Sequence, residues 1–432
     1  MTLRLGHICK AWRAFVLSTP ALWSSIQVEF PQDIGEDKAL RLSAILTMWM
    51  ERSGEDDLKI QITMYPTLSV GIDDPPQSCS LGIQVVFAPL VANCHRWRDI
   101  HVNTTFLALK CLVGNNPSMS ALFAPRLASF ALDGDESGSE DFDDGTVVPA
   151  QSIIKFSAAP CLRKVTLSEI GLLAADTSAF PWQGVEDLIL SGIFHDLSFD
   201  ECATVLRQCL ALKHCSLSTS LTTRIDCSLD HTVQPIILHS LESLDVTEHS
   251  PPDEGKKEIY GYIVCMDLQE LTLRYVLRDY LEIHTHTSYW IRDSIMAFLD
   301  MSPRLTKLHL WSLPLDEACL IEVLNAIPCL THLTVISWRP VHSVGNHVLH
   351  ELSLKSSLGD FVLVKDLAYL RLESHACSEA FVIAFIASRR NATAVRLNEL
   401  FLNFLGSVPT DTLLSRLDRY VKQGLCLAID ER

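Results

Sequence analysis

No C-x-x-C pair occurs among the fourteen cysteines, which argues against zinc modules and thioredoxin-like redox sites. Basic residues are scarce. Thirty-five Lys and Arg face fifty-two Asp and Glu, a net charge of −17, the reverse of the field a nucleic-acid binder presents. Long apolar runs are missing too: FVIAFIA at 381–387 is far too short to cross a bilayer. Lys10 and Arg13 break the only early apolar stretch, so no secretory signal is expected. There is no P-loop, no G-x-G-x-x-G and no G-x-S-x-G, and HELSL at 350–354 lacks the second His of a zinc protease. These absences predict a protein without catalytic residues, cofactor or metal, and with neither nucleic acid nor membrane as partner. They place it, with reduced thiols and unused sequons at Asn103 and Asn391, in the cytoplasm or nucleus.

What the sequence does have is apolar residues, 48% of the chain, enough to bury a full core. Leu5, Ile8, Cys9, Trp12, Phe15 and Val16 fall at the spacing of one helix face. Thr19 followed by Pro20 reads as the N-cap and first position of a short turn carrying Leu22 and Trp23. Ile26, Val28 and Phe30 then alternate as in a strand. Leu42, Ile45, Leu46, Trp49 and Met50 mark a second helix stopped by Gly54, and Leu58, Ile60, Ile62 and Met64 a second strand. The stretch 71–78 reads as a loop.

From Trp97 onward a short pattern, L-x-x-L-x-L with substitutions, recurs eleven times at intervals of 23–37 residues. It runs from WRDIHV at Trp97 and LASFAL at Leu127 through LTKLHL at Leu305 and LTHLTV at Leu330 to LNELFL at Leu397. One such unit cannot bury its apolar edge, so the copies must stack. The predicted fold is an α/β leucine-rich-repeat solenoid with parallel strands and a helical outer layer. Helices are expected at 200–210, with Ala203, Leu206 and Leu210 on one face, and at 316–327, with Leu320, Val323, Leu324 and Ile327. Proline before the repeats that begin at Leu162, Leu305 and Leu330 is expected to end each preceding helix.

Between the leucines, alternate residues point to the other face of the sheet. In the middle and late repeats these include Asp245, Thr272, Arg274, Lys307, His309, Trp311, His332, Thr334, Tyr369, Arg371 and Phe401. Lys307, His309, Trp311, His332, Thr334, Tyr369 and Arg371 are the candidate surface for a protein partner, with Trp311 beside cations as its anchor or else packed on a neighbouring loop.

Two segments interrupt the array: an acidic insertion at 133–145 with seven carboxylates, expected to be a solvated loop, and a loop at 248–258. Asp133, Asp135, Ser137, Gly138, Asp141 and Asp144 match a calcium-loop spacing but lack flanking helices, and Ser137 with Glu140 at +3 suits an acidophilic kinase. His284 and His286 could face one side of a strand, without a third ligand.

HICKAWRAFVLSTPALWSSI at 7–26 resembles the second half of an F-box, as found in large fungal families of F-box-like proteins. The matching positions are Ile8, Cys9, Lys10, Trp12, Arg13, Ser18, Thr19, Pro20, Leu22 and Trp23. The P-x-L-x-x-L-x-L junctions and CHRWRDIHV at 94–102 resemble the leucine-rich domains that follow F-boxes. The resemblance implies three parts: the second half of an F-box-like motif at 1–30; a connecting helix, strand and irregular first repeat at 31–95; and the solenoid at 96–432. It also implies a substrate-recognition subunit of a Skp–cullin–F-box type ubiquitin ligase. Ile8, Cys9, Trp12, Arg13, Pro20, Leu22 and Trp23 would bind the Skp-type adaptor, and an unidentified protein target would sit on the repeat surface. The Leu-Pro-x-Glu helix that opens the family's motif is not seen before this segment, so the expectation is either a fragment or a start further upstream, or a truncated motif that binds the adaptor weakly or not at all. The alternative is a leucine-rich-repeat scaffold without a ubiquitin role, in which residues 1–30 cap the array.

Overall fold

The computed structural model describes residues 8–65, 77–104, 122–134, 156–168, 180–191, 199–219, 235–248, 262–276, 292–313, 315–337, 344–357, 359–375, 377–391, 397–404 and 411–430. The calcium-spaced residues from Asp135 to Asp144, Ser137 with Glu140, the His284–His286 pair and most of the loop at 248–258 lie outside the described residues. The chain is mixed α/β and divides into two compact units, Met1–Leu212 and Lys213–Arg432.

The first unit carries β1 (Ser25–Pro31), β2 (Leu58–Tyr65), β3 (Trp97–Thr104), β4 (Leu122–Phe123), β5 (Ser129–Gly134), β6 (Phe156–Ala158), β7 (Lys164–Ser168) and β8 (Asp187–Ser191). Strands β1, β2, β3, β5, β7 and β8 are parallel neighbours in that order, and β4 pairs with β6 in a separate two-stranded sheet. Parallel neighbours need a crossover each time, and the helices supply several of these. The helix α1 (Lys10–Ser18) precedes β1; α2 (Glu36–Arg52) and α3 (Gln77–Ala92) cross from β1 to β2 and from β2 to β3, and α4 (Phe199–Gln208) follows β8.

The second unit repeats the plan with β9 (His214–Thr219), β10 (Ile236–Ile237), β11 (Ser243–Glu248), β12 (Ile263–Val264), β13 (Glu270–Tyr275), β14 (Lys307–Trp311), β15 (His332–Ile336), β16 (Tyr369–His375), β17 (Glu399–Phe404) and β18 (Cys426–Asp430). All but β10 and β12, which pair with each other, form one parallel ladder in chain order. Helices α5 (Arg292–Asp300), α6 (Glu317–Ala326), α7 (Asn346–Ser353), α8 (Glu379–Arg390) and α9 (Asp411–Lys422) lie between the later strands, and each packs on the next.

All eleven L-x-x-L-x-L copies run into ladder strands, and their three apolar positions are buried in every one. Register aligns them: Leu244, Leu271, Leu308, Leu333, Leu370 and Leu400 form one continuous row, and Val246, Leu273, Leu310, Val335, Leu372 and Leu402 a second. Burying a Leu stabilises by about 1.5–3 kcal/mol, but only if the neighbouring strand covers it. Beyond the eleven, β1 and β2 bury Ile26, Val28, Phe30, Leu58, Ile60, Ile62 and Met64, and β18 adds a last strand that the repeat pattern does not include.

Local expectations meet the structure with instructive exceptions. Gly54 sits at φ 56° just past α2, as a helix stop requires. Asp316 caps α6, accepting from the Cys319 amide at 2.7 Å, which holds its carboxyl below the usual carboxylate range. Leu320, Val323, Leu324 and Ile327 are buried as expected. Leu210, however, lies beyond the end of α4 and is 71% exposed; Cys202, Ala203, Val205 and Leu206 bury that helix instead. Pro160 follows the strand β6 rather than a helix. Thr19 is the N-cap of the turn after it and Pro20 its first position, as expected, but the Thr19 side chain makes no capping bond. Its hydroxyl donates back to the Phe15 carbonyl at 2.7 Å, at the end of α1.

Helix α3 begins inside the stretch read as a loop. Its core residues Ile83, Val86, Phe87 and Leu90 have helical spacing, but Pro89 in the same segment argues against a helix. Gly82 allows its close approach, because a Cβ there would meet the Ile34 carbonyl oxygen at 2.3 Å.

Three buried arginines serve as carbonyl clamps. Arg96 donates to Met50 O, Asp56 O and Ser53 Oγ, fixing the end of α2. Arg389 donates to the carbonyls of Leu352, Leu363 and Val364 at 2.8–2.9 Å, with its guanidinium 3.9 Å from the centre of the Phe361 ring. Burial pushes Arg389 down to about 10, so it remains charged at neutral pH. Val364 holds φ 40°, a strained conformation for a β-branched residue, and Arg389 binds its carbonyl. Arg390 donates to Leu397 O at 3.0 Å and to Gln423 O. Arg389→Met is expected to cost roughly 3–5 kcal/mol in denaturant unfolding, because three buried carbonyls lose their donor.

Candidate interaction surfaces

The residues between the leucines of the second unit lie on the face of the sheet opposite the core, and the register sets them in rows. Glu270, Lys307, His332, Tyr369 and Glu399 form one row; Thr272, His309, Thr334, Arg371 and Phe401 the next; Arg274, Trp311, Ile336 and Glu373 a third. The ladder therefore brings all seven expected partner-surface residues onto three adjacent strands, β14, β15 and β16.

Charges on this face are matched internally. Lys307 Nζ lies 3.2 Å from Glu270, and Arg371 Nε donates to Glu373 at 2.7 Å. The Arg274 guanidinium donates to both Asp245 oxygens at 3.3 Å and lies 4.4 Å from the centre of the Trp311 ring. Trp311 is thus held by a cation within the fold, and its buried indole N–H has no acceptor among the described residues. A run of flat rings crosses the neighbouring strands: His332 stacks on Tyr369 at 5.5 Å, and Tyr369 tilts against Phe401 at 5.7 Å. Thr334, in register between His309 and Arg371, and Thr272, between Asp245 and His309, are buried, so they form the floor of this face and do not present themselves to a partner. Glu270 and Glu373, which neutralise the cations, were not singled out in the sequence; the same alternation places them.

His309 is half-buried beside Glu270 at 3.8 Å. Burial pushes its imidazole below the usual range, Glu270 opposes the shift, and Lys307, His332 and Arg274 add to it.

The expected docking segment divides into two sets of residues. Ile8, Trp12 and Phe15 are 62%, 44% and 52% exposed, with Trp12 and Phe15 edge to face at 5.9 Å; Cys9, Arg13 and Pro20 are exposed as well. Cys9 caps α1, its Sγ accepting from the Trp12 amide at 3.5 Å. Trp23, by contrast, is 1% exposed. Its Nε1 donates to Val16 O at 2.7 Å, its ring meets Trp49 at 5.0 Å, and Arg52 lies 4.5 Å above it. Trp23 and half-buried Leu22 thus form the seat of the segment, with Val16 the buried residue of α1.

The first unit's sheet face, not flagged in the sequence, holds a shallow polar trough of about 450 Å³ lined by Lys59, Asp99, His101, Ser129, Asp133 and Lys164. His101 Nε2 lies 2.5 Å from Asp133, and Lys59 3.5 Å from Asp99. Asp133 therefore belongs to a strand and pairs with a histidine. Among the described residues, no group of three or more His, Cys, Asp or Glu side chains is placed to hold a metal ion. None of their helices is long and apolar enough to cross a membrane.

No family model matches this chain, and no curated protein matches it.

The lowered His309 titration fixes a pH dependence. The neutral imidazole is the folded form, so its stabilisation is present above the unfolded-state value of about 6.5 and is lost as pH falls through the folded one. His309→Gln is expected to flatten the decline in unfolding free energy between about pH 7 and pH 5, measured by denaturant titration at each pH.

Proposed function

We propose that this chain is an F-box-like leucine-rich-repeat protein, the substrate-recognition subunit of a Skp–cullin–F-box type ubiquitin ligase. Parallel strands that are neighbours in chain order, with aligned leucine rows and intervening helices, support the leucine-rich-repeat solenoid. The observation that carries the docking role is the state of α1. The helix is pinned through Val16 and Trp23, yet its Trp12 and Phe15, and Ile8 just before it, are exposed. A helix that only capped the array would turn these residues inward.

On this reading the Skp-type adaptor covers Ile8, Trp12 and Phe15, while the face on β14–β16, Lys307, His309, Trp311, His332, Tyr369 and Arg371 above the buried Thr334, meets a target protein. The chain contributes proximity: it holds the target near an activated ubiquitin and supplies no catalytic group. Such a role belongs to the cytoplasm or nucleus. The second reading, a scaffold with no ubiquitin role, is favoured by the internally matched charges of the β14–β16 face, which need no partner to be satisfied.

Retention of the full chain on immobilised, purified adaptor tests the proposal. Trp12→Ala is expected to leave folding intact and weaken retention about tenfold or more, as loss of an exposed aromatic anchor does. Trp23→Ala is expected to cost roughly 3–5 kcal/mol of stability by emptying the seat. No retention of the unmodified chain would favour the scaffold.

A further inference from the structure

Helix α2 carries an exposed stripe that the docking motif does not include. Its core side holds Ala39, Leu46 and Met50. Ile45 lies one turn before Trp49 on a flank of the helix and is 49% exposed, with half-buried Leu42 beside it. Trp49 is the residue on which Trp23 packs, and Trp23 in turn is bonded to the carbonyl of Val16 in α1. The exposed sides of α1 and α2 are therefore joined through one buried indole. The flank ending at Trp49 is thereby tied, through Trp23, to the helix that carries Trp12 and Phe15.

The charge on α1 indicates what covers this surface. The helix has Lys10 and Arg13 and no carboxylate, in a chain of net charge −17. A second copy packed about a two-fold axis would set α1 against α1, bringing Lys10 and Arg13 toward the same cations. A different chain with an acidic rim around an apolar ridge is complementary. Resting on the docking role proposed above, we infer that the adaptor site has two helices: Ile45 and Leu42 of α2 extend the α1 face, and the partner's apolar ridge, flanked by carboxylates, lies across both.

The experiment uses the full chain and purified adaptor, with binding measured by calorimetry and by hydrogen exchange of the complex. Ile45→Glu is expected to weaken binding at least tenfold, and Leu40→Glu, on the side of α2 opposite Trp49, to leave it unchanged. Each variant's melting temperature is recorded alongside. Exchange is expected to slow over both 10–18 and 42–49 when the adaptor binds. Binding that survives Ile45→Glu but is lost with Trp12→Ala, with protection confined to 10–18, overturns the two-helix site and leaves the docking role standing. No binding by the unmodified chain overturns both. Should Ile45→Glu fail to fold, protection over 42–49 in the unmodified complex decides the matter alone.

Discussion

Each strand in this protein brings an apolar edge that it cannot bury alone. Leu308 is covered because Leu271 lies on one side of it and Leu333 on the other, in register. The same holds down both leucine rows of the second unit. Everything else follows from that requirement for a neighbour. Parallel neighbours force crossovers, crossovers bring the helices, and the alternation of the strand sends every intervening side chain to the opposite face. The polar rows on β13–β17 exist because the leucines are where they are.

Satisfying polar groups sets the second constraint. The segments that return the chain leave carbonyls at helix ends and in irregular turns, and arginine meets them repeatedly. Arg96 closes the end of α2, and Arg389 gathers three carbonyls around a strained Val364. On the sheet face the same economy appears as matched pairs, Lys307 with Glu270 and Arg274 with Asp245. Such half-exposed pairs add little stability, but they leave the face nearly neutral and its rings in a fixed arrangement. Recognition there would depend on shape and stacking across His332, Tyr369 and Phe401 more than on net charge.

The ladder was legible in the sequence because its signal is repetition. A single L-x-x-L-x-L says little, but eleven copies define strands, order and inward residues together. The face residues followed from the same alternation, which is why Lys307, His309, Trp311 and Tyr369 emerge side by side. Burial depth did not follow. Trp12 and Trp23 look equivalent in the motif, yet one is exposed and the other is enclosed by Val16, Trp49 and Arg52, a distinction made by a helix more than twenty residues away. Thr334 sits among candidate contact residues but is too short to rise above His309 and Arg371. The arginine clamps were invisible because their acceptors are backbone carbonyls, which carry no sequence signature. Helix α3 had readable spacing that Pro89 obscured.

The central claim is that stability passes between neighbouring strands and is not pooled in one closed core. Double-mutant cycles within the second unit test it directly, using Leu→Ala at register neighbours Leu308 and Leu333 and at the distant pair Leu244 and Leu400. The ladder predicts a coupling of about 0.5–3 kcal/mol for the first pair and additivity within about 0.5 kcal/mol for the second. Equal coupling in both pairs would contradict it.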